Sequence, residues 1–307
     1  MKLHYADHFV LPLPTGHRFP MEKYAALRNR LQRDDRFDPA DFLVPQAASD
    51  EEIQRAHCPG YLARVVSGAL DATEQRRIGF PWSPAMVERS RRSAGATLAA
   101  CRAALIDGAS ANLAGGTHHA HRDFGSGFCV FNDAAIAAHA MRTEGHVQRI
   151  AIIDCDVHQG DGTATILTDV AEVFTFSIHG AKNFPFRKMQ SDLDVELADG
   201  TGDTDYLAAL DDALDQVFEC ARPQLVIYLA GADPYRDDRF GRLALGIDGL
   251  HERDVRVLSR CRAERAAVAI AMAGGYARDI ADTVTIQANT IDVAYRVFFN
   301  DRRTRIS

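Results

Sequence analysis

The chain has 307 residues, 47% of them apolar and 25% charged, a balance that supports a large core and excludes a disordered or fibrous chain. Its 42 acidic residues outnumber 35 basic ones, giving a net charge of −7, which argues against nucleic acid as a partner. Apolar runs such as Leu225–Ala230 and Ala266–Ala273 fall far short of the roughly 20 residues needed to cross a bilayer, so no membrane association is expected.

The opening residues, Met1 to Asp7, lack the apolar stretch of a secretion signal. Six scattered cysteines without a Cys-x-x-Cys pair argue against a disulfide framework and fit a reducing cytoplasm. The first 80 residues are irregular, with helices expected over Glu51–Ala56 and Tyr61–Leu70. Helices then alternate with short apolar runs. A helix over Ser83–Ile106, with Ser83 as N-cap, precedes a strand over Ala111–Ala114. A helix over Asn132–Glu144 precedes strands over Arg149–Asp154 and Val173–Ile178. A helix over Asp205–Ala221, with Asp205 as N-cap, leads to a strand over Leu225–Ala230; a helix over Leu250–Glu264 leads to a strand over Ala267–Ala273. Continuous apolar strands separated by helices predict an α/β fold with three α/β/α layers and a mostly parallel central sheet. With no linker-like stretch or repeat, residues 1–307 read as one domain.

Ligands of such sheets bind beyond the carboxyl ends of the strands, so the residues after each strand carry the functional signal. They are Gly115-Gly116-Thr117-His118-His119, Asp154-Cys155-Asp156-Val157-His158-Gln159-Gly160-Asp161, Gly231-Ala232-Asp233 and Gly274-Gly275-Tyr276. Asp156, His158 and Asp233 form a mixed oxygen and nitrogen set with open positions, as a catalytic Zn²⁺ requires; Fe(II) is equally compatible with these donors. Singly, Asp156 and His158 could cap a helix and Asp233 could open the turn before Pro234, but convergence of all three favours a metal. His118 and His119 can face one cavity if Gly115 and Gly116 make the turn irregular. A neutral imidazole there is a competent general base, and Asp154 and Asp161 are placed to orient the pair. Tyr276, freed by two glycines, can direct a hydroxyl at a developing oxyanion.

Together these motifs resemble the histone deacetylase family of the arginase–deacetylase fold. The resemblance is carried also by Gly127-Phe128-Cys129-Val130-Phe131-Asn132-Asp133 and Ser177-Ile178-His179, and Asp238-Arg239-Phe240-Gly241-Arg242-Leu243 is similar to the class IV branch and its bacterial relatives. The match spans about residues 110–280 and extends loosely to Thr15–Pro20. It implies one zinc ion on Asp156, His158 and Asp233, with His119 as base and then acid. His118 is implied as its electrostatic partner, with Asp154 behind His118 and Asp161 behind His119, and Tyr276 as oxyanion donor. Phe128 and Phe184, with Gly127 and Gly275, are implied in binding a lysine stem. A structural potassium ion is implied near Asp154, Asp156, His158, Ser177 and Ile178. The implied activity is hydrolysis of an acyl-lysine in a protein or peptide. Hydrolysis of a small acylated amine such as an acetylpolyamine is the second reading, and a non-catalytic acyl-lysine binder or an arginase-type ureohydrolase the remote ones.

Two departures stand out. The stretch Ile78-Gly79-Phe80-Pro81-Trp82-Ser83 lacks the rim carboxylate that better-known deacetylases use on the substrate backbone. Gly160 occupies the position where the arginase branch has a further aspartate, which disfavours a binuclear centre. His4, His8, His57, His139, His146 and His251 read as structural or surface residues. Cys155 reads as core packing, and Cys129 as a residue that could approach the channel wall.

Overall fold

The computed structural model describes residues 1–303. In its N-terminal part, β1 (Lys2–His4) and α1 (Glu22–Leu31) are followed by β2 (Phe42–Leu43) and three short helices: α2 (Asp50–Gln54), α3 (Pro59–Ser67) and α4 (Ala72–Ile78). The long α5 (Pro84–Asp107) leads into β3 (Ala109–Asn112), α6 (Asp133–Thr143), β4 (Ile150–Asp154), α7 (Asp161–Leu167), β5 (Val173–Gly180) and β6 (Leu193–Leu197). The chain closes with α8 (Asp203–Ala221), β7 (Leu225–Leu229), α9 (Ile247–Ala263), β8 (Ala267–Ala271) and α10 (Ile280–Arg303).

The strands form one eight-stranded sheet in the order β2-β1-β3-β8-β7-β4-β5-β6, and every pairing is parallel. Alternation along β4 shows why the strands are apolar throughout. Ile150 and Ile152 point into the core shared with α5 and α6, whereas Ala151 and Ile153 point into the core under α8, α9 and α10. Both faces are covered, as the three-layer expectation required.

Most expected elements form within a few residues of their expected limits. Ser83 caps α5, its hydroxyl accepting from the Met86 amide at 3.1 Å. Asp205 is not the cap of α8: that helix starts two residues earlier behind Gly202, and Asp205 lies within its first turn. Strand β3 ends at Asn112, before the expected segment does. There the Asn112 side chain accepts from the Ala114 amide at 3.0 Å, and Gly115 and Gly116 turn the chain with φ of 80° and 74°.

Four strands set up the site. In the sheet, β3, β8, β7 and β4 are consecutive neighbours, so the loops after them emerge side by side along one edge of the molecule. Sequence separation is large, but spatial separation is one strand spacing each time.

Candidate metal centre and the cavity above it

Asp156 and His158 follow β4, and Asp233 follows the neighbouring β7. One ligand atom from each lies within 4.8 Å of the others, the only such group of three found among the described residues. His158 Nδ1 stands 3.0 Å from Asp156 Oδ1 and 3.3 Å from Asp233 Oδ2. The opposite oxygens are tied back: the Gly274 amide donates to Asp156 Oδ2 at 2.8 Å, and the Val157 amide to Asp233 Oδ1 at 2.9 Å. Asp233 Oδ2 is buried without a hydrogen bond.

Burial, with the charge of Asp156 added, pushes the Asp233 carboxyl up to about 7. For His158, burial works against the charge, yet the Asp156 and Asp233 carboxylates facing its ring nitrogen hold the imidazole at about 10. Two buried carboxylates, one with an unsatisfied oxygen, and an imidazole with a ring nitrogen facing both fit a single divalent cation. The glycine after β8 belongs to this arrangement. A Cβ on Gly274 would stand 1.9 Å from Asp233 Oδ2 and 2.6 Å from Asp156 Oδ2, so only glycine lets that loop close over the carboxylates.

His118 and His119 occupy the turn after β3, their ring centroids 4.2 Å apart. His118 Nδ1 lies 2.6 Å from Asp154 Oδ2, and His119 Nδ1 lies 2.6 Å from Asp161 Oδ1. These contacts leave both Nε2 atoms on the other side of the rings. Burial disfavours charge on both imidazoles, but Asp154 and Asp156 raise His118 to about 9. His119, buried and next to His118, is lowered to about 4. Neighbouring environments therefore drive the pair apart, one imidazole charged and one neutral.

The irregular turn that brings both rings inward is built by two residues whose part in it was not expected from the sequence. The Asp133 carboxylate accepts from the Gly116 and Thr117 amides at 2.9 and 2.7 Å, and the Asn132 amide group donates to the His118 and Ala120 carbonyls at 3.3 and 3.1 Å. Both belong to the N-terminus of α6, and their presence in the Gly127–Asp133 motif was the available signal. His121 adds a second contact to Asp161, at 3.1 Å.

Tyr276 follows β8 and lines the same cavity, of about 570 Å³, as Asp156, His158, Asp233, His118 and His119. Burial raises its phenol well above the ordinary range, so it remains a proton donor. Two further groups fix it. Asp238 Oδ2 accepts from the Tyr276 amide at 2.6 Å, and the buried Lys23 ammonium donates to the Gly275 carbonyl at 3.2 Å while lying 4.9 Å from the Tyr276 ring centre. Asp238 lies in a motif already singled out; Lys23 left no signal.

Aromatic walls complete the cavity. Phe184 meets the His119 ring edge-on at 4.9 Å, and Phe128 lies 6.1 Å from Tyr276. Gly127 is left-handed at φ 53°, and a Cβ there would stand 2.6 Å from His119 Cδ2. Ser177 and Ile178 lie on β5; Ser177 is the register partner of Asp154, and its hydroxyl is 2.9 Å from His179 Nδ1. Cys129 lines the cavity, while Cys155 packs in the core as expected. Behind the metal group, Arg253 of α9 is fully buried and donates to the Gly231 and Cys155 carbonyls, bracing the loops that carry Asp233 and Asp156.

Residues 17–291 match the sequence model of the histone deacetylase domain. An uncharacterised protein of Picosynechococcus sp. is 43% identical over 91% of this chain and 93% of its own length. Histone deacetylase 2 of Arabidopsis thaliana is 31% identical over 87% of this chain and 73% of its own length. The crystal structure of a histone deacetylase homologue from Aquifex aeolicus superposes with a TM-score of 0.81 at 22% identity, covering 95% of this chain and 83% of that one.

Proposed function

The chain belongs to the histone deacetylase family, a family of deacetylases and amidohydrolases, and from that premise we propose that it is a zinc-dependent lysine deacylase hydrolysing the amide of an acylated lysine side chain. The observation that carries this reading is convergence: a three-residue metal group, two carboxylate-backed imidazoles and a protonated phenol all line one cavity.

Asp156, His158 and Asp233 would hold the cation, and Fe(II) is compatible with the same donors. When bound, the cation supplies Lewis acidity toward the amide carbonyl and toward water. The chain's own groups do the rest. Neutral His119, oriented by Asp161, takes a proton from the attacking water and then delivers it to the leaving amine. His118, kept charged by Asp154, favours the negative charge that develops beside it. Tyr276 donates to the carbonyl oxygen as it becomes an oxyanion. Phe128 and Phe184, with the backbone at Gly127 and Gly275, enclose the apolar stem of the lysine and keep water from the reacting atoms. A structural potassium ion at Asp154, Ser177 and Ile178 belongs to the same reading, supported by the pairing of Asp154 and Ser177 across β4 and β5.

The test is a panel of acetyl- to myristoyl-lysine peptides assayed with and without chelator. Hydrolysis should be lost on chelation, restored by zinc and absent in Asp156→Ala. Tyr276→Phe should fold normally and lose roughly 100- to 1000-fold in turnover. Chelator-resistant hydrolysis, or none of any peptide by the zinc-loaded protein, would refute the proposal.

A further inference from the structure

The mouth of the cavity is basic although the chain is acidic. Arg18, Arg76, Arg77, Lys182 and Arg242 all line it, and all five are exposed. Arg18, Arg76 and Arg77 form no ion pair among the described residues. Lys182 and Arg242 share one carboxylate, Asp199, at 4.0 and 3.3 Å. The only carboxylates lining the cavity are Asp156 and Asp233, which belong to the metal group. Five cations therefore line the mouth, with Asp199 shared by Lys182 and Arg242 and Asp71 acting on Arg76 and Arg77 as the nearby counter-charges, within a chain of net charge −7.

The cations are not a by-product of one helix end. Arg76 and Arg77 close α4, but Arg18, Lys182 and Arg242 come from three separate loops. Each segment is fastened to the channel wall. The Arg77 carbonyl accepts from the Gly127 amide at 3.0 Å. The Arg242 amide donates to Asn183 Oδ1 at 3.2 Å, and the Asn183 amide group donates to the Phe240 carbonyl at 2.7 Å. Phe19, next to Arg18, packs on Phe128 and Tyr276 at 5.3 and 6.2 Å between ring centres. The positive charges are thus held around the opening of the channel.

We propose that this rim selects acyl-lysines lying in acidic peptide segments, with carboxylates on both sides of the lysine meeting the cations; the inference rests on the deacylase reading above. Acylation leaves the lysine itself uncharged, so the rim does not act on the reacting group but on its neighbours. Cations contributed from four segments around the opening suit charges flanking the lysine on either side, rather than one anionic group beside the acyl chain. A free acetylpolyamine, which keeps cationic amines, meets repulsion. A cleft lined by one sign of charge raises encounter rates by roughly 10- to 1000-fold, an effect that salt removes.

The experiment compares acetyl-lysine peptides of one length with acidic, neutral or basic flanks, together with acetylspermidine, on the zinc-loaded protein at low and high salt. Binding of fluorescent versions is measured by anisotropy in parallel. The acidic peptide should exceed the neutral one by about 10-fold or more in kcat/KM and in affinity at low salt. High salt, or the combined substitutions Arg18→Gln, Arg77→Gln and Arg242→Gln, should reduce that ratio several-fold. Equal efficiency and affinity across the series, preference for the basic peptide or acetylspermidine, or an acidic preference unchanged in the variant would overturn the inference. Failure of the deacylase reading would look different: no hydrolysis of any peptide, with the anisotropy ratio still reporting on the rim.

Discussion

His118 and His119 are adjacent in sequence and in contact, yet their surroundings assign them opposite protonation states. Asp154 and Asp156 hold His118 near 9, whereas burial and the charge of His118 bring His119 to about 4. Two titratable groups whose environments separate them in this way are the usual mark of divided acid–base roles. The residue holding Tyr276 is as telling. Lys23 is 1% exposed and spends its charge on the Gly275 carbonyl and the face of the Tyr276 ring. A hydrogen bond from a charged donor is worth about 1.5–3 kcal/mol. Lys23→Met should therefore lower kcat on the order of 10-fold or more with little change in KM, because it misplaces the phenol without touching the channel, and Lys23→Arg should restore most of it. Equal losses in both variants, or a rise confined to KM, would mean that Lys23 does not position Tyr276.

Among the elements, the short β1 carries an unexpected burden. It lies between β2 and β3 in the sheet, and its His4 is 4% exposed with both ring nitrogens lacking a hydrogen-bond partner. Burial, with a smaller push from Lys2, lowers His4 to about 4. The folded state thus resists protonation while the unfolded chain accepts a proton near pH 6.5. Stability is lost as pH falls from that value toward 4, and at pH 5 the loss amounts to about 2 kcal/mol from this residue. Urea titrations at pH 7.5 and 5 should show His4→Leu removing about that much of the difference between the two pH values, without loss of stability at pH 7.5. An unchanged pH difference would acquit His4 as a source of acid sensitivity. The elements that the sequence did not disclose have local causes. Helix α10 contains Thr283, Val284, Thr285, Ile286, Thr290, Ile291 and Val293, β-branched residues that lower helix propensity; its helix is held by buried residues such as Ile286, Ile291 and Ala294. Strands β1 and β2 have three and two residues, too few for any periodicity to register.

At the scale of the whole molecule, the parallel sheet places the ends of β3, β8, β7 and β4 together and leaves two buried carboxylates sharing one small space. Such carboxylates are costly without a counter-charge, so a bound divalent cation should stabilise the fold as well as activate it. Zinc at 100 times its Kd should add about 2.7 kcal/mol. The thermal midpoint should rise by several degrees, fall again with chelator and stay unmoved in Asp156→Ala; a midpoint indifferent to zinc in the parent chain would contradict the assigned donor group. The sequence by itself determined the layered α/β class and the set of strand-end residues that meet in the cavity. Apolar runs between helices need cover on both faces, and polar side chains beside glycines keep their spacing whatever the packing. Tertiary structure alone decided what supports them. Lys23 reaches Gly275 across 252 residues and Asp238 reaches Tyr276 across 38, while the cations of the rim come from four separate segments. Contacts between residues far apart in sequence depend on where packed elements finally lie, and no local pattern records that.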